Sequence, residues 1–258
     1  MQRKDTTVIE PTEPLINLYY NGPERRSDRN LHEETASKPW RLRSIVRLML
    51  QQTTTPYVFS KNMAYYLAGR MDAKNTYDLL VKGTNTFIIR DPRAALPSHY
   101  KQDPKFDWEE SGYSKLRGLF HAVTESLGQP PIVIDGDVFC RNPDTMMQKY
   151  CNAVGIPFDP ESMSWKAGQV PSFDGYGGWT EAAEQSTGFQ RPPDELPDLQ
   201  KYPDSLRRMA ERCRRHYEHL LNYAMQPDLA AQTPKNPPGI PRGDTSVTVV
   251  SVHGNSAE

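Results

Sequence analysis

Three short apolar runs, each followed by a helical pattern, constrain the fold of this chain more than any other feature. Each run is bounded by Pro, Gly or Asn. Apolar strands that alternate with helices are typical of a parallel sheet whose two faces are both covered by helices. The runs are TPYVFSK (55–61), NTFIIRD (85–91) and PPIVIDGD (130–137), and TTVIEP (6–11) is a candidate fourth strand. The sequence therefore predicts an α/β fold with a doubly wound parallel sheet flanked by helices.

The remaining segments divide the chain into one domain and a tail. Helical spacing of apolar residues predicts a long helix that begins at Asp204 or Ser205. Further helices are predicted for 41–52, 62–71, 113–128 and 142–155, the last of which ends in a glycine suited to a C-terminal cap. Residues 227–258 are rich in Pro, Gly, Thr and Ser, so we expect a single domain over 1–226 and a disordered tail. The short run TSVTVV within this tail is interpreted as coil.

The charge and composition of the chain limit which kinds of binding partner and which cellular compartment we expect. The 31 Lys and Arg residues nearly balance the 32 Asp and Glu residues, so no overall field favours nucleic acid or an anionic membrane as a partner. No apolar stretch reaches the ~20 residues that a membrane span requires, and the first residues do not have the pattern of a signal peptide. The three cysteines, Cys140, Cys151 and Cys213, form no metal or redox motif. We therefore expect a cytoplasmic protein whose partner is a small molecule.

The segment FIIRDPRAALPSHY combines a strand end with two arginines. Arg90 follows the apolar run directly, Asp91 is a suitable N-cap, and a proline occupies the first helical position. Ligands of open α/β sheets bind at the carboxyl ends of strands, where Arg90 and Arg93 would clamp an anion such as phosphate. Ser98, on the following helix, would add a hydroxyl group. The alternative is that both arginines only bind carboxylates on neighbouring loops.

Two further segments carry side chains suited to a site. Asp135 and Asp137 follow the third apolar run, where paired carboxylates either bind a metal or cap the next helix and orient Arg141. Because the sequence offers no supporting ligands, the second role is favoured. The stretch GYGGWTEAAEQSTGF is rich in glycine and is typical of a flexible lid. Its Trp179 would either stack on a ligand ring or pack in the core.

These segments together resemble a known family. The strings FSKNMAYYL, IIRDPRAALPSHY and VIDGDVFCRNPDTMMQKYCNAVGIPF are similar to a sulfotransferase-like branch of the P-loop superfamily, and the resemblance extends over roughly residues 8 to 190. It implies the fold of that superfamily and 3′-phosphoadenosine 5′-phosphosulfate (PAPS) as the sulfuryl donor. It also implies that Arg90 and Ser98 hold the 3′-phosphate of PAPS, with Arg93 beside them. Lys61 would stabilise the charge on the leaving phosphate and donate a proton to it.

The resemblance also bears on the base that takes the proton from the acceptor hydroxyl. In related sulfotransferases this base is a histidine or a glutamate. The stretch VIEPTEPLINLYYNGPERR is similar to a turn of the His-Glu-Pro type in the family, with Ile9 in the place of the histidine. Glu10 and Pro11 keep the rest of the turn, so Glu10 is the candidate base.

One element of the family does not occur in the 258 residues. The sequence contains no Gly-x-x-x-x-Gly-Lys-Ser/Thr loop or similar phosphate-binding loop, although a phosphosulfate group requires several backbone donors. The resemblance implies that a first strand, the loop and a helix are missing before Met1. A gene model that starts too late, a fragment of a longer chain and a true loss of the loop each explain this pattern.

Two classes of function follow from these observations. The first is a sulfotransferase-like enzyme that transfers a sulfuryl group from PAPS to a hydroxyl of a small molecule, for example a secondary metabolite. The second is a catalytically silent protein of the same fold that binds a ligand. A lyase or cyclase of secondary metabolism that reuses the scaffold is a further alternative.

Overall fold

The computed structural model describes residues 3–9, 13–21, 41–51, 53–67, 79–168 and 177–227, together with the backbone of 245–251. Within these residues lies a parallel sheet of five strands in the order β1-β2-β5-β3-β4. The strands are β1 (Thr6–Val8), β2 (Tyr57–Met63), β3 (Thr84–Ile89), β4 (Ile132–Asp135) and β5 (Thr245–Ser251). The four apolar runs of the sequence correspond to β1 to β4, so the prediction of an α/β fold with a parallel sheet is confirmed.

The fifth strand corrects the interpretation of the C-terminal run as coil. β5 lies in the centre of the sheet, where it pairs with all of β2 on one side and with residues 84–88 of β3 on the other. The run TSVTVV is rich in β-branched residues, which suit a pleated surface. Its place depends on the hydrogen-bonding edges of two strands far away in the sequence, so local composition did not reveal it. Residues 228–244 and 252–258 of the predicted tail lie outside the described residues.

Helices are distributed along the whole described part of the chain. They are α1 (Ile16–Tyr20), α2 (Leu42–Met49), α3 (Pro92–Gln102), α4 (Tyr113–Leu127), α5 (Gly136–Arg141), α6 (Pro143–Val154), α7 (Glu181–Gln185) and α8 (Asp204–Leu221). The longest of these, α8, has 18 residues and carries a polar face rich in arginine. None of the helices in the described ranges is both long and apolar enough to cross a membrane.

The helix predictions are confirmed in five segments and wrong at the start of a sixth. α2, α3, α4, α6 and α8 lie where helices were predicted, and Gly155 after α6 has a φ of 75°, the left-handed conformation of a C-terminal cap. The helix predicted for 62–71 is wrong at its start. Residues 62 and 63 continue β2 beside β5, and a short 3-10 helix, Ala64–Leu67, follows them.

Apolar side chains cover both faces of the sheet at β3 and β4. Phe87, Ile89 and Val133 belong to the larger buried cluster, which also contains residues of α2, α4 and α8. Ile134, with Ile88 packed against it, belongs to a second cluster with residues of α5 and α6. Successive residues of a strand point to opposite faces of a sheet. Because successive side chains alternate between the two clusters, this part of the sheet is buried on both faces. A ligand can therefore reach it only at the ends of its strands.

Candidate active site

Arg90 leaves the sheet at the carboxyl end of β3, next to the start of α5. Ile89 pairs with Asp135 across β3 and β4, so the residues that follow the two strands lie side by side. The Nε atom of Arg90 donates a hydrogen bond of 2.9 Å to Oδ1 of Asp137. The Tyr113 hydroxyl donates to the Arg90 carbonyl at 2.7 Å, and 13% of the Arg90 side chain is exposed. The guanidinium group is therefore held in place at the edge of the sheet that was predicted to bind an anion.

The first turn of α3, which follows Arg90 in the chain, carries a second arginine. Asp91 is the N-cap of α3, and its carboxylate accepts a hydrogen bond of 2.8 Å from the backbone N–H of Arg93. The Arg93 side chain folds back onto the same carboxylate, with 2.7 Å between Nη2 and Oδ2, and this hydrogen bond raises the pKa of Arg93. Both arginines thus bind carboxylates, as the alternative interpretation expected. Their binding of a ligand stays a prediction.

Asp135 caps a helix, as predicted. Its Oδ1 atom accepts hydrogen bonds of 3.0 Å from two backbone N–H groups in the first turn of α5, and its Oδ2 atom accepts one of 2.7 Å from the Tyr217 hydroxyl on α8. Burial raises the pKa of Asp135. Arg141 pairs with Asp194 instead of the two acids near β4. Among the described residues, no group of three or more His, Cys, Asp or Glu side chains is arranged to hold a metal ion.

Lys61 forms an ion pair in β2, on the opposite side of β5 from Arg90. Its ammonium group donates to Oε1 of Glu13, whose side chain is 5% exposed. The Tyr66 hydroxyl donates a hydrogen bond of 2.6 Å to the other carboxylate oxygen, Oε2. The Lys61 side chain as a whole is 33% exposed. A buried carboxylate with two partners therefore holds the end of this lysine in place.

Comparison with known protein families identifies the group to which this arrangement belongs. Residues 36–213, more than half of the chain, match the sulfotransferase domain family. The chain belongs to the sulfotransferase domain family. The matched region includes Lys61, Arg90, Arg93 and Ser98, and the resemblance seen in the sequence is confirmed.

Two curated relatives of this sulfotransferase-domain chain come from Arabidopsis thaliana. The chain is 31% identical over 166 residues to branched-chain-amino-acid aminotransferase-like protein 1. It is 29% identical over 170 residues to branched-chain-amino-acid aminotransferase-like protein 2. Each alignment covers 64% of this chain and 29% of the relative, so the chain spans less than a third of the length of these relatives. No solved structure matches the chain.

The sheet of this sulfotransferase domain does not bring Lys61 and Arg90 together. Lys61 and Thr86 are both in register with Val249 of β5, so they lie at the same level of the sheet on either side of β5. Arg90 follows Thr86 by four residues, which is about 13 Å along the strand direction at about 3.3 Å per residue. Lys61 also lies two residues before the end of β2, not at its end as predicted. The two cations therefore belong to separate parts of the site.

The carboxylate that contacts Lys61 is not the one selected from the sequence. Glu10, the candidate base, lies outside the described residues. Glu13 belongs to the second of two Glu-Pro pairs in the stretch EPTEP, and it is Glu13 that bonds Lys61 and Tyr66. The repeated Glu-Pro pair in the sequence indicates that either glutamate is a candidate. It does not show which of the two carboxylates contacts Lys61, because that contact joins segments far apart in the chain.

Ser98 lies on the wall of a cavity between α3 and the segment 177–190. The cavity has a volume of about 420 Å³, and neither Arg90 nor Arg93 is among the described residues that line it. Trp179 also lines the cavity, and its ring lies edge-on to His99 with 5.1 Å between centroids. Trp179 therefore packs against the domain and at the same time presents a surface to the cavity. The sequence predicted a lid for the glycine-rich segment that forms one wall, although its first residues, 175 and 176, lie outside the described residues. It did not predict that α3 forms the other wall, because the two segments are far apart in the chain.

Proposed function

We propose that the protein is a sulfotransferase-like enzyme that transfers a sulfuryl group from PAPS to a hydroxyl group of a small molecule. Membership of the sulfotransferase domain family supports the chemistry, since PAPS is the donor that such domains generally use. The observation that carries the proposal for this chain is the pair of arginines at the carboxyl end of β3, where open α/β sheets bind their ligands. The doubly wound, P-loop type of α/β fold is part of the same proposal.

In this proposal Arg90, Arg93 and Ser98 hold the 3′-phosphate of PAPS. A guanidinium group offers five N–H donors in a planar fork, and the bond from Arg90 to Asp137 fixes the direction of that fork. The Arg93 side chain is 49% exposed, so it can turn from Asp91 toward a phosphate. Ser98 lies six residues after the first residue of α3, about 9 Å along the helix. Its hydroxyl donates to the phosphate from that side.

Lys61 acts on the sulfuryl end of the donor. Transfer breaks the bond between sulfur and the bridging oxygen of the 5′-phosphate and forms a bond between sulfur and the acceptor oxygen. Negative charge develops on the bridging oxygen, which the Lys61 ammonium group stabilises and protonates. The acceptor hydroxyl loses its proton to a base, for which Glu10 is proposed. In this proposal the nucleotide lies between Arg90, which holds its 3′-phosphate, and Lys61, which contacts the end that carries the sulfuryl group.

Binding of adenosine 3′,5′-bisphosphate, the product nucleotide, tests the anion site. In calorimetric titrations the wild-type protein should bind it, and Arg90→Ala should weaken binding roughly 10- to 100-fold, as expected for loss of a hydrogen bond to a charged group. Arg191→Ala is the matched control, because Arg191 is 70% exposed and pairs with Asp194. Equal affinity of the wild type and Arg90→Ala, or no binding by the wild type, would contradict the proposal.

A second candidate function is ligand binding without catalysis. It is favoured by two contacts, because Lys61 and Arg90 both bind carboxylates that a donor must displace or share. Incubation of the protein with labelled PAPS and a panel of alcohols and phenols separates the two functions. Transfer of the label to an acceptor supports the enzyme. Binding of the bisphosphate with no transfer to any acceptor supports the binding protein.

A further inference from the structure

The cavity beside Ser98 is built from two segments that approach each other closely. One wall is the second half of α3, and the other consists of the 3-10 helix Gly177–Trp179, α7 and the residues that follow it. A Cβ atom on Gly178 would lie 2.7 Å from Oε1 at the end of the flexible Gln102 side chain, so the two walls meet at these two residues. The volume of about 420 Å³ lies in the range of small-molecule sites.

Neutral hydrogen-bonding groups dominate the lining of this cavity. Three amides and three hydroxyls line it, from Gln102, Gln185, Gln190, Ser98, Ser186 and Thr187. Such groups both donate and accept hydrogen bonds. Some of this capacity is already used, because Gln185 donates to Glu181, Gln190 donates to the Gly188 carbonyl, and Ser186 donates to the Ala183 carbonyl. Glu181 contributes a carboxylate, and no lysine, arginine or histidine is among the described residues of the lining. An anion deep in the cavity would lose its hydration next to a carboxylate and gain no cation, so the lining disfavours it.

Trp179 adds an aromatic surface to the polar lining. Its indole ring is half-buried and lies edge-on to His99, and the His99 ring stacks on Phe106 with 3.9 Å between centroids. A ring held in this way offers a large apolar face at a small cost in conformational entropy. Sugars and related polyols present patches of C–H groups between their hydroxyls, and these patches pack against an aromatic face.

We propose that this cavity binds a neutral polyhydroxylated molecule of carbohydrate type. Hydroxyls of such a molecule donate to the glutamine carbonyls and to Glu181, and they accept from the amide N–H groups. Ser98 precedes Gln102 on α3 and is the lining residue of that helix nearest to Arg90, so the phosphate site and the cavity adjoin at Ser98.

Saturation-transfer NMR with methyl glucoside as the probe tests the cavity directly. The wild-type protein should bind methyl glucoside more tightly than glucose 6-phosphate, because the phosphate group meets no cation in the lining. Gln102→Ala and Trp179→Ala should each weaken the binding of methyl glucoside roughly three- to tenfold. Gln129→Ala, at an exposed glutamine outside the cavity, is the matched control and should bind like the wild type.

Three results would overturn the proposal. They are no binding of methyl glucoside to the wild type, equal binding by the wild type and both cavity variants, and tighter binding of glucose 6-phosphate than of methyl glucoside. Where circular dichroism shows that Trp179→Ala does not fold, Gln102→Ala and Gln185→Ala decide the outcome by the same criterion.

Arg90→Ala separates this inference from the function proposed above. This variant should bind methyl glucoside like the wild type while its affinity for adenosine 3′,5′-bisphosphate falls. A wild type that binds methyl glucoside but not the bisphosphate would refute the sulfotransferase proposal and would leave the sugar-binding cavity supported. Displacement of methyl glucoside by the bisphosphate would place the nucleotide in the cavity and would overturn the inference.

Discussion

Glu13 fixes the orientation of the Lys61 ammonium group. The two oxygens of the Glu13 carboxylate bond Lys61 and Tyr66, and 5% of the Glu13 side chain is exposed. In the proposed reaction Glu13 would therefore position Lys61. Burial of a carboxylate is unfavourable unless both of its oxygens find partners. Here both oxygens find partners, and the bond to one of them orients Lys61.

Replacing Lys61 by methionine should remove most sulfuryl transfer and weaken nucleotide binding much less. We expect kcat to fall about 100-fold or more, the effect of losing one group that stabilises developing charge. Affinity for adenosine 3′,5′-bisphosphate, measured by calorimetry, should fall by a smaller factor than kcat, because Arg90, which holds the 3′-phosphate in this proposal, lies about 13 Å farther along the sheet and is unchanged. Lys105→Met, at an exposed lysine, is the matched control. An unchanged kcat in the Lys61 variant would exclude this residue from the reaction.

At the scale of elements, β5 decides whether the sheet is continuous. β2 and β3 do not pair with each other, and each of them pairs with β5. Removal of β5 would leave the inner edges of both strands with unpaired backbone N–H and C=O groups. Such edges are unstable in water next to a core and promote association between chains. The last described strand of the chain is therefore a central part of the domain.

A chain that ends at Gly243 should consequently lose cooperative unfolding. We expect no single urea transition by circular dichroism and larger species in size-exclusion chromatography, because two strand edges become exposed. A chain that ends at Val252 keeps all of β5 and is the control; it should unfold like the full chain. The same transition midpoint in the chain without β5 would show that this strand does not hold the sheet together.

At the scale of the whole molecule, the packing of α4 against α8 places histidines among arginines. The rings of His121 and His219 lie 4.9 Å apart, and Arg117 donates to Nε2 of His121 at 3.4 Å. Burial, with the nearby charge of Arg117, lowers the pKa of both His216 and His219. Within the described part of the chain, Nδ1 of His216 and Nε2 of His219 are buried and find no hydrogen-bond partner. Protonation of either ring would add charge to this interface.

The stability of the protein should therefore fall in mild acid. A histidine whose pKa is lowered by folding binds fewer protons in the folded state, so protons favour the unfolded chain. Stability is highest above the ordinary pKa of 6.5 and is lost as the pH falls through that value toward the lowered pKa. Between pH ~7.5 and pH ~5, Tm should fall more in the wild type than in His216→Gln/His219→Gln. Equal slopes for the two proteins would contradict this account.

The sequence by itself determined the features that depend on near neighbours in the chain. The apolar runs specify β1 to β4, and Asp91 and Pro92 specify where α3 begins, because caps and periodicity act over a few residues. A strand that ends in Arg90 also suffices to suggest an anion site. Membership of the family was visible for the same reason, since it rests on strings of adjacent residues.

The tertiary structure alone decided the contacts between distant segments. It placed β5 between β2 and β3, paired Glu13 with Lys61, and put Ser98 on the wall of a cavity whose described lining does not include Arg90. Each of these depends on which edges and which buried groups remain without partners once the local elements have formed. The free energy of pairing two strands depends on both segments together. The composition of the C-terminal run alone therefore shows its β-branched residues but not its place in the sheet.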